Sequence, residues 1–363
     1  MNIVYTTSAK VPSRAANAVQ SLKMCDAFAR LGHGVRLHCR KGDDGDVFAS
    51  YGLTARFTFE PMAVRGPPGL RTLAFEHDVR RASRRRPLPD LYFSRDVYAL
   101  LAVATTGVPM ILEVHRTMEG ASVEQLALSW LLTQPSFRGV VVVSRAMGRW
   151  YQSVFSELDP IVEPGAAEEV AVVEGVAPPL RRGALQVGYV GHLYPGRGIE
   201  VIAELANRMP DVDVHVVGGD DADVARCRND HALPNLTFHG FVRHVELPRL
   251  TRSFDVLLAP YQDKVYVKGG AETAGVMSPL KLFEYMALGL PIVCSDLPVL
   301  REVLDDDVAM LVPAAGVNGW SEAVAHLRDN PMVRARLGQQ ALARFRARHT
   351  WTSRASRILE VLA

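Results

Sequence analysis

The chain has 363 residues, 48% hydrophobic and 22% charged, with a formal net charge of +2. That length predicts about two domains, and the near-neutral balance argues against a dedicated nucleic-acid binder. No run of about eighteen apolar residues is present to form a transmembrane helix.

In chain order, NIVYT (residues 2–6) reads as a short apolar strand. Residues 15–31, AANAVQSLKMCDAFARL, place Ala18, Val19, Leu22, Cys25, Phe28, Ala29 and Leu31 at helical spacing. Gly32 is positioned to end that helix in the left-handed conformation. VRLHC, DLYFS, PMILEVH and GVVVVS follow as strands separated by helical segments. Residues 160–182, PIVEPGAAEEVAVVEGVAPPLRR, are rich in proline, glycine and acids and mark a domain boundary. QVGYVG, VDVHVVGG, NLTFHG, DVLLAPY, PIVCS and AMLVP read as further strands, and residues 331–348 and 351–362 as closing helices. Continuous apolar strands between helices predict parallel sheets covered on both faces. The fold class is therefore α/β: two doubly wound Rossmann-like domains in tandem, with a crevice between them and ligands at the carboxyl ends of the strands.

Residues 277–296, MSPLKLFEYMALGLPIVCSD, set two charges among residues suited to a core. Ser278 has N-cap chemistry, Pro279 suits the first helical position, and Gly289 with Pro291 marks the stop, which predicts a helix over 279–288. Its free N–H groups at Leu280 and Lys281, with the positive end of the helix dipole, form an anion site suited to phosphate. Lys281 adds a full charge. Glu284 lies one turn further on the same face, and helical side chains lean toward the N-terminus. Its carboxylate can reach a ribose diol beside the phosphate. The competing reading is a Lys281–Glu284 surface pair worth about a few tenths of a kcal/mol. The apolar flanks and the strand PIVCS disfavour it, because a buried charge needs a partner.

These residues resemble the nucleotide-binding segment of retaining glycosyltransferases of the GT-B fold, family 4, over SPLKLFEYMALGLPIVCSDLPVLREVL. VGYVGHLYPGRGIEVI resembles the strand, diphosphate loop and helix that open the second domain, and NLTFHGFVRHVELPRLTRSFDVLLAPY the segment between the two. PSRAANAVQSLKMCDAFARLGHGV is similar to the opening loop and first helix, and RHTWTSRASRILEVL to the final helix, which in that fold crosses back to the first domain. The resemblance implies an acceptor-side domain over residues 1–165 with the final helix 351–363, and a nucleotide-sugar-binding domain over residues 166–350.

It further implies transfer of a sugar from a nucleotide-diphosphate donor to an acceptor hydroxyl with retention of configuration. Carried over by position, Glu284 binds the nucleotide ribose, and the N–H groups of Leu280 and Lys281, in the turn begun by Ser278, bind the diphosphate. Arg197 is the basic residue of the diphosphate loop, which opens with Gly191 and His192. His115, in ILEVHRTME, stands near the donor sugar; Phe241 and Val242 hold the base; Gly219 lies at another donor-facing strand end. Ala16 and Asn17 lie where the first-domain loop meets acceptor and phosphate. Three positions depart from the family pattern. Val276 stands where the first of two glutamates falls, with Glu272 in the loop GGAETAG as a substitute. His192 occupies a position that usually carries a basic residue, and Ala15-Ala16 replaces a glycine pair.

The leaving diphosphate gains about one negative charge, which a helix N-terminus, Arg197, Lys281 and His192 together would stabilise in place of a divalent metal. No cofactor and no metal requirement are expected, and the acidic groups Asp43–Asp44, Asp220–Asp221 and Asp305–Asp307 read as loops and helix caps. RRASRRRP holds Arg80, Arg81, Arg84, Arg85 and Arg86, either a solvated helix face or a peripheral contact with an anionic membrane. MNIVYTTSAK has no basic leader, and Cys25, Cys39, Cys227 and Cys294 have no paired spacing, so a cytoplasmic protein with buried thiols is expected. The partners are a nucleotide-sugar donor and an acceptor of unspecified class, with no nucleic acid. Two other functions share the pattern: a nucleotide-sugar epimerase on the same fold, and a non-catalytic nucleotide-sugar-binding protein.

Overall fold

The computed structural model of the chain describes residues 1–13, 15–64, 67, 70–118, 120, 122–170, 185–243, 246–266 and 272–362. They form two compact units, Met1–Glu163 with Trp351–Ala363, and Pro164–Thr350. Residues 171–182 of the expected boundary segment lie outside the described residues.

The first unit contains strands β1 (Asn2–Val11), β2 (Gly34–Lys41), β3 (Thr58–Met62), β4 (Leu91–Ser94), β5 (Met110–Val114), β6 (Phe137–Val142) and β7 (Ile161–Val162). They make one parallel sheet in the order β3-β2-β1-β4-β5-β6-β7. β1 continues past the apolar NIVYT because pairing with β2 extends to Val11↔Lys41, across a register shift between Thr7 and Lys10. β3 and β7 carry no sequence signal for a simple reason. Both are sheet edges: β3 contains Pro61, whose missing N–H an edge strand tolerates, and β7 has two residues. The helix Ala16–Arg30 ends as the glycine predicts, with Gly32 at φ +85° and its N–H on Ala29 O at 3.0 Å. The final helix, Trp351–Glu360, belongs to this unit and lies against Ala16–Arg30.

The second unit contains β8 (Leu185–Val190), β9 (Val212–Val217), β10 (Leu236–Gly240), β11 (Val256–Ala259), β12 (Ile292–Ser295) and β13 (Ala309–Val312). The order β10-β9-β8-β11-β12-β13 is again wholly parallel. β8 and β9 are buried at every residue, as strands covered on both faces must be. Val187, Val214, Val216, Val256 and Leu258 pack with Ile202 and Trp320 of the covering helices. All four cysteines are buried and free.

Candidate active site

In the second unit the chain winds outward from β8 through β9 to β10, then returns to β11 on the other side of β8. The carboxyl ends of β8 and β11 therefore flank the point where the winding reverses, which is where open α/β sheets bind ligands. The helix Leu280–Leu288 is fixed there by Tyr285, whose hydroxyl accepts from Val190 N–H at 2.8 Å and donates to Leu258 O at 3.3 Å.

Lys281, in the first turn of that helix, is only 9% exposed. Its Nζ sits 3.9 Å from the centre of the Tyr189 ring and 4.8 Å from that of Tyr261, with no hydrogen-bond partner. Burial, then the charge of Arg197, holds its pKa well below the ordinary lysine value. The ammonium is thus clamped by ring faces, and the surface pair with Glu284 is not made. Gly191, at φ +150°, brings backbone against the same ammonium: a Cβ there would fall 2.9 Å from Nζ.

Arg197 sits at the end of the loop after β8, its guanidinium 5.3 Å from the Tyr261 ring centre and its buried Nε without a partner. The following Gly198, at φ +77°, caps the helix Ile199–Arg208, and a Cβ would collide with Pro260 O at 2.0 Å. His192 is exposed, stacks on Tyr194 with centroids 4.8 Å apart, and accepts Tyr189 O–H on its carbonyl at 2.7 Å. Its pKa is lowered by partial desolvation, then by Arg197 and Lys281.

The helix begins one residue later than the sequence predicts. Pro279, at ψ 123°, is the extended residue before it, and no side chain caps it. Ser278 is not the N-cap; its Oγ accepts the N–H of Gly165 at 2.9 Å instead. The N–H groups of Leu280 and Lys281 are first-turn donors, which an α-helix leaves outside its own ladder. Glu284 is half-buried, and its carboxylate has no hydrogen bond or ion pair among the described residues.

Strand ends join the remaining positions to Lys281. Gly191 N–H donates to Val217 O at 2.9 Å, and Gly218 N–H to Gly240 O at 2.8 Å. Gly219, at φ +85°, follows β9, and Phe241 and Val242 follow β10, with Phe241 48% exposed. Glu272 is turned to its own loop, its Oε1 accepting Ala274 N–H at 2.6 Å; residues 269–271 of that loop lie outside the described residues. Val276 donates its N–H to Thr273 O at 3.1 Å.

In the first unit His115 follows β5 and is held by a buried polar cluster. Glu113 Oε1 receives Arg354 at 2.5 Å and Gln20 Nε2 at 2.8 Å, with His115 Nε2 at 3.1 Å. Glu113 and Arg354 are both wholly buried. Burial alone would raise the Glu113 pKa, but the Arg354 charge and contact with His115 hold the carboxyl well below its usual range. Burial, then Arg95, lowers His115 to about 4. Asn17, beside Ala16 at the start of its helix, accepts Arg95 on its carbonyl at 3.3 Å.

Sequence reasoning missed Tyr189, Tyr261, Gln20, Glu113 and Arg354. Glu113 carried a usable signal: a carboxylate inside the apolar run MILEV is the same anomaly that marked Lys281.

Elsewhere, Asp220 caps the helix Asp221–Asp230, and Asp305 pairs with Arg344 at 2.7 Å. Arg80, Arg81, Arg84, Arg85 and Arg86 are exposed at and beyond the end of the helix Leu70–Ser83, and Arg85 reaches Glu60 at 3.3 Å. Leu73, Val123, Leu126 and Trp130 are exposed apolar residues of the same unit. No helix among the described residues is long and apolar enough to cross a membrane.

Residues 197–360 match the family described as "Glycosyl transferase-like". The phosphatidyl-myo-inositol mannosyltransferase of Mycolicibacterium smegmatis is 31% identical over 172 residues, 46% of this chain and 42% of that protein. The chain thus spans less than half the length of the curated relatives it matches. Among solved structures, the sucrose-phosphate synthase of Thermosynechococcus elongatus superposes with a TM-score of 0.74 at 17% identity, covering 100% of this chain and 98% of the other. Anabaena Alr3699/HepE, in complex with UDP and glucose, gives a TM-score of 0.74 at 15% identity, covering 100% and 99%. The chain has the GT-B fold, two tandem Rossmann-like units, and its second unit carries a glycosyl transferase-like segment.

Proposed function

We propose that the chain is a retaining, metal-independent glycosyltransferase that moves a sugar from a nucleoside-diphosphate donor to an acceptor hydroxyl. The observation that carries this reading is the Lys281 ammonium. It is buried, without an acceptor, clamped on two tyrosine faces at the switch point of the sheet, and adjacent to the free N–H groups of a helix start. A buried cation without a partner is costly, and a diphosphate would supply the missing anion. Arg197 adds the second charge, and Glu284, one turn on with its carboxylate free, would take the ribose hydroxyls.

In the proposed reaction the bond between the anomeric carbon and the diphosphate oxygen breaks, and its electron pair stays on that oxygen. The acceptor oxygen bonds to the anomeric carbon on the same face and gives its proton to the departing diphosphate. Lys281, Arg197 and the first-turn N–H groups stabilise the charge as it develops. Solved structures of the similar Anabaena Alr3699/HepE are complexes with UDP and with UDP-glucose, which makes a uridine nucleotide the first donor to test. The name of the mycobacterial relatives puts a lipid-linked acceptor first among acceptors, and the exposed arginines, with exposed apolar residues in the same unit, support peripheral contact with an anionic membrane.

The test is a thermal-shift screen of UDP-, GDP-, ADP- and TDP-sugars, followed by transfer assays with the stabilising donor after exhaustive chelation. Glycoside formation with unchanged rate supports the reading. Loss restored by manganese rejects metal independence, and an inverted linkage by NMR rejects retention. Binding without transfer or donor hydrolysis favours a binding protein, and sugar isomerisation without an acceptor favours an epimerase.

A further inference from the structure

We propose that the Tyr261 hydroxyl is a further binding group of the second unit, donating its hydrogen to an oxygen of a diphosphate bound beside Lys281 and Arg197. That the ligand is a sugar nucleotide rests on the glycosyltransferase reading; that an oxyanion binds there does not. Three buried tyrosines, Tyr189, Tyr261 and Tyr285, cluster beside Lys281, and their hydroxyls differ. The Tyr285 hydroxyl accepts from Val190 N–H and donates to Leu258 O, and Tyr189 O–H donates to His192 O at 2.7 Å. Tyr261, two residues past β11, is 1% exposed, yet its hydroxyl has no hydrogen-bond partner among the described residues. A phenylalanine would offer Lys281 a ring face too, so it is the oxygen that needs a reason.

Two neighbours share the deficit. Lys281 Nζ and Arg197 Nε are likewise buried without partners among the described residues, the ammonium 4.8 Å and the guanidinium carbon 5.3 Å from the centre of the Tyr261 ring. Phenol O–H, ammonium and guanidinium are all donors, so what the cluster lacks is an acceptor. Arg197 leans on the phenol oxygen, but an arginine can only fill a lone pair there and leaves the hydroxyl hydrogen free. Burial raises the Tyr261 pKa and the Arg197 charge offsets this only in part, so the hydroxyl keeps its proton near pH 7. The nearby Cys294 thiol is pushed up to about 12 by burial and is neutral, so it supplies no anion. A water could accept from two of these groups but would neutralise neither cation. A diphosphate offers several acceptor oxygens together with the missing negative charge, and Arg197, the half-buried member of the three, marks the side from which it enters. The O–H bond to a charged oxygen is of the strong, charge-assisted kind. It strengthens as the departing diphosphate gains charge, with no proton changing hands.

Tyr261→Phe deletes this one oxygen and keeps the ring face beside Lys281. Calorimetric titration of the full chain with UDP and with inorganic pyrophosphate is expected to show binding weakened about tenfold to a hundredfold. The melting temperature of the nucleotide-free variant should be unchanged or higher, because no bond is lost. Tyr189→Phe is the contrast: it gives up the bond to His192 O and should melt lower. Unchanged affinity for both probes in Tyr261→Phe overturns the proposal. So does a loss of stability like that of Tyr189→Phe, or a failure of the unaltered chain to bind either probe. With the donor found by the screen, Tyr261→Phe should lower kcat about tenfold, the worth of one hydrogen bond made stronger in the transition state. If Tyr261→Phe weakens pyrophosphate binding but the unaltered chain turns over no sugar nucleotide, the anion site stands and the glycosyltransferase reading falls. If transfer proceeds and the substitution alters neither affinity nor kcat, the reading stands and the role of Tyr261 falls.

Discussion

The Lys281 ammonium rests 3.9 Å from the centre of the Tyr189 ring, and no described side chain or backbone oxygen accepts a hydrogen bond from it. Ring faces attract a cation but satisfy none of its three N–H groups. The fold therefore keeps a charge that folding alone does not need, and its removal should separate stability from binding. Lys281→Met should raise the melting temperature of the nucleotide-free chain by about 2–4 °C, the shift for roughly 1 kcal/mol in a domain of this size. The same change should weaken UDP binding about tenfold to a hundredfold. Calorimetry and titration check both; weakened binding without the gain in stability would mean the ammonium is not strained.

The direction of the pH dependence follows from the depressed pKa of Lys281. The folded chain sheds this proton at a lower pH than the unfolded chain. Between the two values the unfolded state binds more protons, so stability rises with pH. The penalty is full below the folded-state pKa and fades as pH climbs to the ordinary lysine value. Denaturant melts at increasing alkaline pH should show the unaltered chain converging on Lys281→Met.

Glu284 predicts a discrimination between sugars of the nucleotide itself. A carboxylate that accepts two ribose hydroxyls loses one when the 2′-hydroxyl is absent. UDP should bind about tenfold more tightly than 2′-deoxy-UDP, and Glu284→Gln should narrow that ratio. Equal affinities in the unaltered chain would remove the ribose from Glu284.

Glu113 and Arg354 form a wholly buried ion pair across the first unit. Arg354→Met leaves the carboxylate uncompensated and should cost about 3–5 kcal/mol, whereas pairing it with Glu113→Met should recover most of that loss. Because the folded Glu113 pKa is depressed, its contribution is full above the ordinary carboxylate range and is lost progressively as pH falls below that range toward the folded-state pKa. Urea melts of the single and double variants between neutral and acid pH read both effects.

The exposed arginines give the membrane reading its test. Binding to vesicles containing phosphatidylserine should weaken as salt rises. Replacing Arg84, Arg85 and Arg86 with glutamine should reduce it about a hundredfold, at about 1 kcal/mol for each charge near the surface. Unchanged binding would leave these residues as a solvated helix end.

What the sequence determined by itself is whatever rests on spacing within a few residues. Strand–helix alternation, the left-handed glycines 32 and 289, and the helix carrying Lys281 and Glu284 are legible because period and cap chemistry are local. Even there, a distant group overruled a local rule: Ser278 has cap chemistry, but the N–H of Gly165, 113 residues away, takes its oxygen. β3 and β7 escaped notice because edge strands need no continuous apolar run. The partners of the two buried charges were decided only by the tertiary structure. Lys281 was conspicuous, but Tyr189 and Tyr261 read as ordinary strand residues until the sheet order set β8 beside β11. Glu113 meets Arg354 across 241 positions of chain, through a helix that returns to the first unit. A charge in an apolar run announces that a partner must exist; which residue supplies it depends on how the strands are ordered, and that order is a property of the folded chain.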